Sequence, residues 1–186
     1  TNAEEKDYPA YYPNRREEYG FRGDNLLAFN RAVEVYAREH VESLTFQPIP
    51  SVAKGYYELG AHRIVLNSRL NESEKSKTLI HELAHAKMHG ENSPYRDTTI
   101  REKEMQAEMT AYVVSKSFGL DPDDASIRYV ANWTGKFTEI ENIEKNLAAI
   151  QKTSREMIQG IDTQYGFELE KEAEKSTIEK ESGIPV

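Results

Sequence analysis

Residues 71–90 constrain this chain most, because they spell a single helix and that helix carries His81, Glu82 and His85. Asn71 can act as its N-cap, Glu74 stands three residues later to return a carboxylate to the cap amide, and Gly90 closes the segment. Residues four apart on an α-helix are separated by about 40° around the axis, so His81 and His85 leave one face and can grip one ion. Glu82, one residue after the first imidazole, is placed to accept a proton from water beside that ion. A shuffled chain of this composition would show the H-E-x-x-H spacing only about 1% of the time. The competing reading, a helix with two surface histidines and a routine glutamate, weakens if a third ligand follows at the right distance.

The chain has no cysteine, so a metal has to be held by histidines and carboxylates. A hydrolytic zinc site takes three protein ligands and keeps a position open for water. The third is sought in Arg101-Glu102-Lys103-Glu104-Met105-Gln106-Ala107-Glu108, on the next helix. Glu104 and Glu108 are i and i+4 on one face, with the small Ala107 beside them to let two helices approach. Glu102 points away and suits a helix N-terminus, where the dipole favours carboxylates. Glu104 is therefore the expected ligand, and Glu108 the expected partner for the second nitrogen of a ligand imidazole. No residue is singled out to stabilise an oxyanion: Tyr112, His89, Tyr95 and Tyr129 are candidates, each with a packing role as its alternative. His40 and His62 have no partner spacing and receive no role.

With 186 residues the chain can bury one continuous core. Residues 1–22 combine tyrosines, prolines and charges without periodicity and read as an irregular arm. Asp24 opens a helix from about residue 25 to 40, with Leu26, Leu27, Ala32, Val33, Tyr36 and Ala37 along one side. Beyond Pro48 and Pro50, the runs 53–58 and 63–67 read as a β-hairpin, whose edge could hold an extended peptide. Thr99 with Glu102 opens the helix that ends at Gly119, and Asp121-Pro122 opens a short one ending before Gly135. Thr138 with Glu141 opens the last, where Ile140, Ile143, Leu147, Ile150 and Ile158 form a stripe that Gly160 terminates. The predicted divisions are an arm at 1–22, a domain at 23–160 and a charged tail at 161–186, either a solvated helix or disordered.

A net charge of −8 argues against a nucleic-acid footprint for this domain. No window has the roughly 18 apolar residues of a membrane span, nor do the first thirty residues carry a signal-peptide core, so a cytoplasmic protein is expected. A start at Thr1 rather than Met suggests a longer parent polypeptide with additional domains.

His81-Glu82-Leu83-Ala84-His85-Ala86-Lys87-Met88-His89-Gly90, followed by Glu104-Met105-Gln106-Ala107-Glu108, resembles the ImmA/IrrE-type metallopeptidase domain. In that pattern an HExxH helix precedes a helix with an E-x-x-A element, whose glutamate, here Glu104, is implied as third ligand. Many members have Asn where this chain has Glu108. Gly55-Tyr56-Tyr57 with Arg63-Ile64-Val65-Leu66-Asn67, Phe118-Gly119-Leu120-Asp121 and Tyr129-Val130-Ala131-Asn132-Trp133 are further similar to the peptidase domain of ArdC-like antirestriction and LtrC-like conjugative-element proteins. The single-stranded-DNA-binding domain of ArdC-like proteins has no counterpart in residues 1–50.

The resemblance implies an α+β, zincin-like fold with a short β-sheet or hairpin and several helices, and a gluzincin-like site holding one zinc per chain. The implied reaction is hydrolysis of a peptide bond in a protein substrate by metal-activated water, in a protein of a plasmid, phage or conjugative element. The alternative is a non-catalytic zincin-fold binding or antirestriction module in DNA transfer. An intact Glu82 counts against it, because a degenerate enzyme can lose its base while its ligands still support the fold.

Overall fold

A computed structural model describes residues 24–120 and 143–182. Four helices and a three-stranded sheet appear among them: α1 (Asp24–Arg38), β1 (Ser43–Gln47), β2 (Gly55–Glu58), β3 (Arg63–Asn67), α2 (Glu72–His89), α3 (Ile100–Ser117) and α4 (Ile143–Ser182). The fold is α+β. The expected arm, the short helix after Asp121 and the cap at Thr138 lie outside the described residues.

The two central helices start where their capping boxes put them. The Asn71 side chain accepts the Glu74 amide at 2.9 Å, and the Glu74 carboxylate accepts the Asn71 amide at 3.3 Å. Thr99 and Glu102 repeat the exchange at 3.2 and 3.0 Å, so two otherwise orphaned donors are satisfied at each start. At the other end of α3 the Leu120 amide donates to the Ser115 carbonyl at 3.0 Å and the Gly119 amide to Lys116 at 3.1 Å. Gly119 sits at φ 76°, the left-handed conformation this closure needs.

The hairpin forms as expected, with β2 antiparallel to β3 from Gly55↔Leu66 to Glu58↔Arg63. Its sheet has a third strand, however. β1 runs parallel to β3 from Ser43↔Arg63 to Gln47↔Asn67, which gives the order β1-β3-β2 and leaves β2 at an edge. The apolar Ile64, Val65 and Leu66 of the central strand are buried on both faces.

Helix α1 buries Ala28, Phe29, Ala32, Val33, Tyr36 and Ala37 against the other elements. Leu27, assigned to that side from sequence, is 42% exposed, and Phe29 takes the central place. The Phe29 ring meets Phe118 at 5.0 Å between centroids and Tyr165 edge-on at 5.6 Å, which joins α1, the end of α3 and α4 in one aromatic cluster.

Helix α4 departs from expectation. It passes through Gly160 without a break and continues to Ser182, and it buries Ile161 and Tyr165 in the main core beyond the expected boundary. Gly160 is there for close approach rather than termination: a Cβ on it would lie 2.0 Å from Cε2 of Tyr36. The packed face follows the expected stripe only in part, at Ile150 and Ile158. Asn146, Ile150, Thr153, Met157, Ile161, Tyr165 and Glu168 are buried, whereas Leu147 is exposed.

Candidate metal centre

Because α2 is regular from its capping box onward, its phase fixes which side chains meet α3. Leu79, Ile80, Leu83 and Ala84 turn into the core, and His81 and His85 emerge along the edge facing α3. Ala84 and Ala107 are both fully buried, so the two helices approach closely at this level. Glu104 and Glu108, one turn apart on α3, then reach the two imidazoles.

The Nε2 atoms of His81 and His85 face each other at 3.2 Å. Glu104 closes the group, with Oε1 3.5 Å from Nε2 of His85 and Oε2 3.8 Å from Nε2 of His81. One donor atom from each residue falls within 4.8 Å of the others. Glu108 sits behind, its Oε2 3.0 Å from Nδ1 of His81. Glu102 takes no part, being engaged in the Thr99 cap.

His85 has a different support. Its Nδ1 lies 3.1 Å from Nδ1 of His89, and Nε2 of His89 lies 2.8 Å from Oε1 of Gln106. The Gln106 amide in turn donates to Oδ1 of Asn146 on α4. His89, Gln106 and Asn146 are all buried. His89 is thus removed from the cleft, and the oxyanion role considered for it is not available in this arrangement. In the sequence His89 stands out only as one of four oxyanion candidates; Gln106 and Asn146 give no signal, being ordinary polar residues within helices.

These bonds determine which nitrogens carry protons. Burial drives the pKa of His89 down to about 4, so its ring is neutral, and donation from its Nε2 to Gln106 leaves its Nδ1 as an acceptor. His85 therefore donates from Nδ1. His81 does likewise to the Glu108 carboxylate, and both Nε2 lone pairs are left turned toward one another. Two lone pairs at 3.2 Å repel unless a proton or a metal ion lies between them. A tetrahedral ion with bonds near 2.05 Å would separate two ligand nitrogens by about 3.3 Å, so His81, His85 and Glu104 fit a divalent metal.

Glu82 is buried beside this group, and desolvation raises its pKa against the opposing pull of His81 and His85. A hydrogen bond from the Tyr57 backbone amide fixes its carboxylate. For His81, burial opposes the charged ring, but the Glu108 bond and the surrounding carboxylates outweigh it and raise its pKa.

A cavity of about 220 Å³ adjoins these residues, lined by His81, Glu82, Glu108, Tyr112, Lys77 and Gly55 among others. Among the described residues Tyr112 is the one oxyanion candidate found there. Tyr95 packs instead with Met88, Ala149 and Ile150, and Tyr129 lies outside the described residues. His40 bonds the Tyr36 carbonyl, and His62 bonds the Tyr57 hydroxyl at 2.7 Å.

Residues 37–115 match the family model of the IrrE N-terminal-like domain, a peptidase family, which supports that domain family for this part of the chain. The match spans the sheet, α2 and most of α3, and stops short of α4. Over 95% of its length the chain is 30% identical to an uncharacterized protein of Bacillus anthracis designated pXO2-81, of which it spans 31%. No solved structure matches it significantly. No described helix is long and apolar enough to cross a membrane.

Proposed function

We propose that this chain is a zinc-dependent peptidase domain in which His81, His85 and Glu104 hold the ion, Glu82 is the general base and Glu108 orients His81. The observation that carries the reading is the pair of converging Nε2 atoms, closed by Glu104 and with both outer nitrogens already engaged. The match to the IrrE N-terminal-like domain supports it independently.

An ion bound there would supply Lewis acidity, lowering the pKa of a bound water toward 7 and polarising a substrate carbonyl. The remaining work falls to side chains. Burial makes the Glu82 carboxylate a stronger proton acceptor than an exposed one, so it can take a proton from the attacking water and deliver it to the departing amine. Its bond from Tyr57 keeps it aimed at the cleft. Tyr112, on the cavity wall, is placed to donate to the developing oxyanion.

The substrate is a protein segment in extended form. Lys54, whose carbonyl accepts the Asn67 amide, faces β3, so alternation turns the backbone groups of Gly55 and Tyr57 to the edge of β2 away from β3. Glu82 takes the Tyr57 amide, and Gly55 remains at the cavity to pair with a peptide strand. Of the finer assignments, a zincin-like fold rests on the resemblance of α2 and α3, and kinship with ArdC- and LtrC-like proteins of mobile elements on that of β2, β3, the end of α3 and residues 129–133.

Elemental analysis of the purified chain should find about one zinc per chain, lost in His81→Ala. Against a peptide library, Glu82→Gln should keep the metal and lose about 10²- to 10⁴-fold in turnover. Wild type that stays empty after zinc reconstitution would remove the metal reading, and full turnover by Glu82→Gln would remove the base.

A further inference from the structure

The two imidazoles at the centre have unlike supports. His81 donates to a carboxylate, Glu108, on the cavity side of the site. His85 meets a second imidazole, and the bonds continue through His89 and Gln106 to Asn146, all buried. With the Gln106 amide donating to Asn146 Oδ1, one set of tautomers gives each contact in this second series a donor and an acceptor: His85 Nδ1–H to His89 Nδ1, and His89 Nε2–H to Gln106 Oε1.

We propose that His89, Gln106 and Asn146 are positioning residues for the metal, so that α4 completes the site by fixing the ring of His85. This rests on the peptidase-site reading above. Reversing any link would turn His85 to the tautomer that presents N–H, rather than a lone pair, to Glu104 and His81. Gln106 cannot choose its own orientation, because its amide nitrogen and oxygen are equivalent in shape; with the Asn146 oxygen turned toward it, only the Gln106 nitrogen can bond there. Asn146 lies outside residues 37–115, so the part of the chain that matches the family does not contain the anchor of its own ligand.

This relay differs from ordinary packing in what it controls. A purely structural Asn146 would affect how often the chain is folded but not how tightly the folded chain holds zinc. A positioning Asn146 would affect affinity itself, by the 10- to 100-fold typical of groups that orient ligands.

The test is zinc affinity by chelator competition on the full chain, with melting of the metal-free proteins recorded beside it. Asn146→Leu should weaken binding about 10-fold or more, and Asn146→Asp, which keeps the accepting oxygen, should recover most of it. Equal affinity for wild type and Asn146→Leu, or no recovery in Asn146→Asp, would overturn the proposal while leaving the metal site standing. A wild type without zinc affinity would take both down. Should Asn146→Leu fail to fold, long-range ¹H–¹⁵N spectra of the wild-type imidazoles decide the matter. His89 protonated on Nε2 and His85 on Nδ1 are the states required, and the opposite tautomer at His89 would refute the relay.

Discussion

The α2–α3 crossing and the α1–α4 crossing are built from opposite materials. Between α2 and α3 the helices close on Ala84 and Ala107, and the space around them holds Glu82, His89, Gln106 and Thr110, polar groups that burial would destabilise without partners. Between α1 and α4 the contact is apolar and aromatic: Phe29, Tyr36, Met157, Ile161 and Tyr165. The first crossing sets geometry, and the second supplies the burial that holds it in place. Damage to the apolar crossing should therefore appear mainly as lost stability, and damage to the polar one mainly as lost metal affinity or turnover.

Tyr165→Ala is the largest break expected on the apolar side. Its ring is 1% exposed and edge-on to Phe29, and removing a buried aromatic of this kind costs about 3–5 kcal/mol. Chemical denaturation should show that loss, while the fraction still folded binds zinc with wild-type affinity. A stability change below about 1 kcal/mol would instead make residues beyond 160 the dispensable tail that their composition suggests.

That composition misled for a physical reason. The buried face of α4 includes Asn146, Thr153, Ser154 and Glu168, so a hydrophobic stripe catches Ile150 and Ile158, wrongly takes in Leu147 and misses the polar part of the packed face. Glycine at position 160 reads as a stop because its commonest helical use is at an end, whereas here the Tyr36 ring occupies the place of a side chain. β1 was missed because its pairing with β3 is remote in sequence and only Leu44 in it is buried. The α2–α3 pair was legible because local chemistry fixes it: Asn71, Glu74, Thr99 and Glu102 set both starts, and fixed starts set the phase of His81, His85, Glu104 and Glu108. The support behind His85 was not legible, since nothing in the spacing of Gln106 and Asn146 marks two helices as neighbours.

Two glycines on α4 sharpen the comparison between packed and free helix. Gly160→Ala sets the added methyl against Tyr36, and overpacking there should destabilise by about 1–3 kcal/mol despite the better helix propensity of alanine. Gly166 is exposed, with nothing near its added Cβ, so Gly166→Ala should stabilise by about 0.5–1 kcal/mol. Urea midpoints measured on both variants should move in opposite directions. A shift of the same sign in both would mean that α4 does not press on Tyr36.

The smallest effect concerns acid. Glu168 on α4 bonds Lys171 at 2.6 Å and Arg31 of α1 at 3.0 Å; Lys171, then Arg31, lowers its pKa against the opposing effect of burial. A carboxyl depressed on folding contributes stability above its unfolded value, about 4.3, and the contribution disappears as pH falls through the folded value. Glu168→Gln should thus lower the urea midpoint at pH 6 and lose its effect in strong acid, where the wild-type carboxyl is protonated as well. Zinc affinity at neutral pH should not follow, because Glu168 clamps the apolar crossing and touches neither imidazole. If affinity fell in parallel with stability, the two crossings would be one cooperative unit and their division would not hold.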